Sequence, residues 1–305
     1  MKTIGVLLTG PAERLKDDYI TPFENALKRL TGERELRLLF HAPKGDPLND
    51  PHEMREHAAA LIAQTPDVIW LLSTSTARAA IDARKRAGKA DDIAIVGAAV
   101  SSVIRKLATA AGNFSGIINS GWELGDERYR LLKQIMKERL RKVGVLVHPH
   151  EYNSSSEEEL KLIQRVAPPD SVAAARIRTA ADLQHGIAEL KQAGADAVMT
   201  THIPLFQHER KQIVQLAKEA GLPLVGHRSF FASDGALMAY SSVLPAQMEQ
   251  SARMVHRMLS TPEADKSVFE EPDQFELVVN TAAAASFGFA LPSTWTPAGL
   301  KVRTV

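Results

Sequence analysis

The chain has 305 residues, 45% of them hydrophobic and 24% charged, enough for two ordinary soluble domains. Lys and Arg number 37 against 36 Asp and Glu, a formal net charge of +1, which gives no electrostatic case for nucleic acid or an anionic membrane as partner. The absence of cysteine excludes a disulfide framework, a thiolate nucleophile and zinc–cysteine sites.

The first apolar run, Ile4-Gly5-Val6-Leu7-Leu8, is too short for the core of a secretory leader. No stretch reaches the ~18 apolar residues of a membrane helix. Residues 3–8 read as a buried strand, and 17–30 as a helix with Phe23, Ala26, Leu27 and Leu30 on one face. A strand at 35–40 follows. Asp50-Pro51 then opens a helix whose stripe is Met54, Ala58, Leu61 and Ile62. Strands at 67–72, 93–97 and 114–118 alternate with helices at 76–87 and 103–108.

The pattern then restarts. Helices are expected at 122–137, 154–167, 180–193, 208–220 and 245–260, with strands at 142–147, 171–177, 196–200, 222–225 and 236–241. Residues 275–279 read as the last strand, before a short helix from Thr281. Ser154-Ser155-Ser156-Glu157-Glu158-Glu159 reads as a helix start whose carboxylates complement the dipole. Apolar strands alternating with helices imply parallel sheets covered on both faces and wound with right-handed crossovers. Residues 66–72 and 95–97 echo 195–201 and 224–226. Two similar sheets give such an echo, and so do any two strand–helix–strand units.

In an open α/β sheet, ligands bind beyond the carboxyl ends of the strands, where strand order reverses. That rule selects Thr9 and Gly10 after the first strand, and Ser73, Ser75 and Thr76 after the third. It also selects Asn119 and Trp122 at the first passage between sheets, then Tyr152, Asn153, Thr201, His202, His227 and Arg228 in the second half. The hydroxyls of 73–76 suit either a ligand's accepting group or simple helix capping. Trp122, Tyr152, Phe206 and Phe230 are candidates to wall a planar ligand, with core packing as the alternative for each. Trp70 lies inside an apolar strand and reads as core. Arg228 suits a carboxylate, or a surface position. His148, His150, His202 and His227 lack the spacing of a metal site, so no metal or cofactor is expected. GxSxG, GxxxxGK[ST] and GxGxxG are all missing, which argues against an enzyme.

Several segments resemble a known family in family order. They are Phe275-Glu276-Leu277-Val278-Val279-Asn280 with Phe287-Gly288-Phe289-Ala290-Leu291-Pro292, Gly112-Asn113-Phe114-Ser115-Gly116-Ile117, Gly144-Val145-Leu146-Val147-His148-Pro149, and Ser233-Asp234-Gly235-Ala236-Leu237-Met238-Ala239-Tyr240. Together they resemble the ABC-transporter substrate-binding proteins that include tryptophan- and tyrosine-associated members, over nearly the whole chain to about Pro297. Two departures point to a changed ligand. Ala98-Ala99-Val100-Ser101 lacks the Asp that amino-acid-binding relatives carry after the fourth strand, and the loop His148-Pro149-His150-Glu151-Tyr152-Asn153 is bulkier and more basic.

The resemblance implies the type I periplasmic binding protein fold: α/β, two doubly wound parallel-sheet lobes joined by a three-crossing hinge. Residues 1–118 and 241–272 would form the N-terminal lobe and 119–240 and 273–305 the C-terminal lobe, with a ligand cleft between them. The implied role is solute capture for an ABC importer by hinge closure, on an aromatic or carboxylate-bearing metabolite. A membrane permease is the implied partner. A monomer is expected, periplasmic after removal of a leader, with a cytoplasmic location as the alternative. The rival role is a ligand sensor of the same fold, which would need a separate partner because no helix-turn-helix precedes the first strand.

Overall fold

A computed structural model of the chain describes residues 1–32, 36–44, 51–89, 91–118, 121–149, 155–261, 267–290 and 301–305. It divides into two units, Met1–Ser120 with Val243–Gln274 and Gly121–Ser242 with Phe275–Val305.

The strands of the first half are β1 (Lys2–Leu7), β2 (Leu36–His41), β3 (Val68–Leu71), β4 (Ala94–Val100) and β5 (Phe114–Ile118). Those of the second are β6 (Val143–Val147), β7 (Val172–Arg176), β8 (Ala197–Thr200), β9 (Leu224–Gly226) and β10 (Met238–Ser242), followed by β11 (Phe269–Glu270), β12 (Phe275–Val279) and β13 (Lys301–Thr304). The helices are α1 (Ala12–Leu15), α2 (Thr21–Thr31), α3 (Pro51–Ala63), α4 (Thr74–Arg86), α5 (Arg105–Ala111), α6 (Gly125–Met136) and α7 (Ser155–Val166). They continue with α8 (Leu183–Gln192), α9 (Pro204–His208), α10 (Arg210–Glu219), α11 (Ser229–Ser233), α12 (Leu244–Ser260) and α13 (Thr281–Ser286).

The first unit holds a parallel sheet in the order β11-β5-β4-β3-β1-β2. Its side chains alternate between two apolar layers, as a sheet covered on both faces demands. Ile4, Val6, Val68, Trp70 and Val96 pack with Phe23 and Leu27 of α2 and Met248 and Val255 of α12. Leu7, Ile69, Leu71 and Ile95 pack with Met54 and Leu61 of α3 and Ala80 and Ile81 of α4. Trp70 is core: its ring stacks on Phe23 with centroids 4.2 Å apart, and Nε1 donates to Ser251 Oγ at 2.9 Å.

The second unit's sheet runs β13-β12-β10-β9-β8-β6-β7. From β7 to β10 it is parallel, but β12 pairs antiparallel with β10, and β13 lies parallel to β12. The sheet is parallel-dominated with one antiparallel pairing, and β13 corrects the reading of 275–279 as the last strand. β12 enters its sheet from the Val243–Gln274 segment of the first unit, so no right-handed crossover fixes its direction.

Local punctuation accounts for two further differences. The helix expected over 17–30 is a π-helical turn, Lys16–Ile20, followed by α2 with Pro22 in its first turn. Pro22 has no N–H for an α-helical bond back to the preceding turn, and Thr21 N–H instead reaches Lys16 O, five residues back. The helix expected over 208–220 is preceded by α9, which opens with Pro204 and buries Leu205 and Phe206.

Strand order reverses between β1 and β3 in the first unit, and between β6 and β8 in the second. These points fix where each sheet has open strand ends for a ligand.

Candidate functional site

In the first unit the reversal point carries Thr9 and Gly10 after β1, both buried, and Ser73 to Thr76 after β3. Ser73 caps α4 in an extended conformation. Its Oγ accepts from Thr76 N–H at 3.2 Å while Ser73 N–H donates to Thr76 Oγ1 at 3.1 Å, a reciprocal capping box. Thr76 Oγ1 donates to Ser73 O at 2.8 Å, and Ser101 N–H donates to Thr74 Oγ1 at 2.8 Å, tying the turn to the end of β4. Ser75, half-buried, reaches only Ser73 Oγ at 2.8 Å among the hydrogen bonds of this turn. Three of the four hydroxyls build the turn, and Ser75 stands at its edge.

In the second unit the ends of β6 and β8 are stitched by a directed chain of hydrogen bonds. His148 N–H donates to Ser156 Oγ at 2.8 Å; Ser156 Oγ lies 2.5 Å from Thr201 Oγ1; Thr201 Oγ1 donates to Leu146 O at 2.9 Å. Thr201 therefore keeps its hydroxyl inside the protein. One residue on, His202 is half-buried and its N–H donates to Glu159 Oε2 at 2.6 Å. Its ring lies edge-on to that of His227, centroids 5.1 Å apart. His227 follows β9 and is fully buried, with Nδ1 2.9 Å from Thr200 Oγ1. Its Nε2 has no hydrogen-bond partner among the described residues. Trp122 Nε1 is likewise buried without one.

Arg228 is 2% exposed, which removes the surface reading, and its Nη1 donates to Ser242 Oγ at 3.0 Å. Beside it lies a second guanidinium that the strand-end rule missed. Arg128 of α6 is fully buried and paired with Glu159 of α7. It also donates from Nε to Tyr240 O at 2.9 Å and from Nη2 to Gly121 O at 2.6 Å. A Cβ at Gly121 would lie 2.5 Å from Cδ2 of His202, so only glycine lets the chain pass there. Glu159 was expected to serve the helix dipole with Glu157 and Glu158; it is instead this buried ion pair. The signal was available: Arg128 and Glu159 both stand on the buried stripes of their helices.

The electrostatics follow from burial among cations. Burial pushes the Glu159 carboxyl up to about 7, against the pull of Arg128 and the His202 N–H. Burial, followed by Arg228 and Arg128, holds His202 well below the ordinary imidazole range. Burial, then His202, Arg128 and Arg228, does the same to His227. Both imidazoles are neutral at pH 7.

Of the aromatic candidates, Phe206 is fully buried in the core, and Trp122 is half-buried. Phe230 stacks on Phe231 with the Arg210 guanidinium 4.9 Å from its centroid. Asn119, Tyr152 and Asn153 lie outside the described residues. Among the described residues, no three His, Asp or Glu side chains are grouped to hold a metal ion, and no helix is long and apolar enough to cross a membrane.

A family model described as ABC transporter substrate binding protein matches residues 16–295. No curated protein matches. Among solved structures, a Streptococcus pneumonia ABC domain in complex with L-Trp is 15% identical with a TM-score of 0.79, covering 96% of each chain. A conserved domain protein from Vibrio cholerae is 17% identical with a TM-score of 0.78, again over 96% of each. An Agrobacterium vitis ABC transporter solute-binding protein bound with alpha-D-tagatopyranose is 14% identical, TM-score 0.67, over 95% of this chain and 100% of its own. At these identities the likeness is one of fold.

Proposed function

Because the chain belongs to the ABC transporter substrate-binding protein family, with the type I periplasmic binding protein fold and a solute-binding rather than enzymatic role, we propose that it captures a small carboxylate-bearing metabolite, planar or aromatic, for an ABC importer. Closure of the two lobes on the ligand and a periplasmic place of work are part of this reading. The observation that carries it is His227 Nε2, a fully buried polar atom with no partner among the described residues, on a strand end that also bears the buried Arg228. A buried polar group without a partner costs about 1–3 kcal/mol unless something bonds it. A ligand is what strand ends of this fold are open to.

Ser73 and Ser75 in the first unit, and Trp122, His202, His227 and Arg228 in the second, are the proposed contacts within the wider strand-end set, with Thr76 and Thr201 holding the turns. The anionic class is supported by the buried Arg228 guanidinium and by the neutral state that burial, with the nearby cations, imposes on the imidazoles. The aromatic preference is supported by Trp122 and by the tryptophan held in the Streptococcus structure. The tagatopyranose of the Agrobacterium protein is the competing precedent, since one scaffold serves both.

The test is thermal denaturation against aromatic carboxylates, amino acids, purines and sugars. A ligand at one hundred times its Kd adds about 2.7 kcal/mol of stability by linkage. Carboxylates should give a saturable rise in Tm, lost in Arg228→Met, Ser75→Ala and Tyr152→Ala. A response confined to sugars would overturn the anionic reading.

A further inference from the structure

The hydrogen bonds around His227 fix more than its position. Thr200 Oγ1 receives the His227 backbone N–H at 3.2 Å and lies 2.9 Å from Nδ1. Thr200 is buried at the end of β8, and no other partner of its hydroxyl is present among the described residues. Two arrangements are possible for a neutral ring. With the proton on Nδ1, the ring donates to Thr200; the Thr200 hydroxyl hydrogen and the bare Nε2 are then both left unbonded inside the protein. With the proton on Nε2, the Thr200 hydroxyl donates to Nδ1, and the single orphan is the Nε2–H. One buried orphan costs less than two. The ring packs between Phe231, 5.0 Å away, and His202, 5.1 Å away, centroid to centroid.

We infer that Thr200 locks His227 with its proton on Nε2, so that the group His227 presents is a hydrogen-bond donor and the ligand atom that meets it is an acceptor, a carboxylate oxygen. The inference rests on the proposal that this strand end holds ligand, and deepens it by assigning the atom and its polarity. Trp122 Nε1, also buried without a hydrogen-bond partner among the described residues, is a donor by its chemistry alone. Both orphans then ask for an acceptor, and Arg228 Nη1, bonded to Ser242, belongs to a cation buried directly after His227. A ligand ammonium would meet donors and positive charge, which excludes it from this subsite. Thr200 is a positioning residue: it acts only through the ring.

The experiment is long-range proton–nitrogen NMR of the full chain with labelled histidine, using benzoate as probe and benzylamine as its cationic counterpart. In the free protein His227 should show a bare Nδ1 and a protonated Nε2, and benzoate should move the Nε2 resonance while benzylamine does not. Thr200→Val should let the proton redistribute between the nitrogens and weaken benzoate about tenfold, the loss of one well-placed hydrogen bond. Thr200→Ser should restore both. A protonated Nδ1 in the wild-type protein overturns the inference whether or not benzoate binds. A protonated Nε2 that neither probe moves overturns the placement of the ligand at this strand end and leaves the tautomer intact.

Discussion

Two arginines set what burial of a charge requires in this protein. Arg84 of α4 is almost wholly buried and makes no ion pair among the described residues, though the charge of Asp91 reaches it; it donates to the carbonyls of Ile93, Ala111, Gly112 and Asn113 at 2.6–3.1 Å. Burial lowers its pKa to about 10, so it stays cationic at neutral pH. Arg128 adds an acid to its carbonyls, and the pair is a different liability. Removing one partner leaves a charge without its counter-ion, whereas removing both leaves only a shape to fill. Glu159→Leu, which strands the buried Arg128 guanidinium, should therefore destabilise by about 3–5 kcal/mol. The double variant Arg128→Met with Glu159→Leu should lose clearly less than the sum of its singles. Urea denaturation of the four proteins checks it, and additive losses would mean that the two side chains act independently. The residues themselves were legible as anomalies: Arg84 follows Ala77 and Ala80 on one stripe, and Arg128 lies between Gly125 and Leu132. What they bond was not legible, because the partners are carbonyls whose positions depend on the whole fold.

At the scale of elements, the sequence carries helix starts better than strand directions. A Ser-x-x-Thr stretch before an apolar helical stripe is a local signal, and Ser73 acts on its own next turn. Ser73→Ala should cost about 1 kcal/mol, about 2–4 °C in Tm for a domain of this size. Thermal denaturation without ligand isolates that effect from any contact Ser73 makes with a bound molecule, and an unchanged Tm would mean the cap is redundant. Strand direction is not local in the same way. Apolar alternation over 275–279 marks a strand equally well whether it runs with or against its neighbour. β13 was invisible for a second reason: Lys301-Val302-Arg303-Thr304 has no apolar run, and Arg303 meets Glu276 of β12 at 3.1 Å as a cross-strand ion pair. Pairing there rests on register and charge, neither of which periodicity reports.

Across the whole molecule, the echo between residues 66–97 and 195–226 has a shared physical basis. β3 and β8 each lie beside the first strand of their sheet, and each is preceded by an Asp that binds that strand's start. Asp67 Oδ2 accepts from Thr3 N–H at 2.8 Å; Asp196 Oδ2 accepts from Arg141 N–H at 2.8 Å and Lys142 N–H at 2.9 Å. Burial works against both carboxylates, but Lys2 and Thr3 in one case, and the Lys142 and Arg141 N–H groups in the other, hold them below the ordinary value. Their contribution to stability is present above pH 3.8 and is lost as pH falls through their lowered values. The interior of the second unit governs the next window. Glu159, raised from 4.5 to about 7, keeps a proton in the folded state that the unfolded chain has released, so its contribution falls as pH rises from 4.5 to 7. His202, His227 and His41 do the opposite: below 6.5 the unfolded chain takes up protons that the folded state refuses, so their contribution rises towards pH 6.5. The two imidazoles held well below 6.5, with His41 adding in the same sense, oppose the one carboxyl, and stability should climb from pH 4.5 towards pH 6.5. Glu159→Gln removes the opposing group and should steepen that climb, whereas His227→Gln should flatten it. Urea midpoints measured from pH 4 to 8 on the three proteins decide the matter, because a Glu159 ionised throughout, as an ordinary surface carboxylate is, would leave the slope of Glu159→Gln equal to that of the parent.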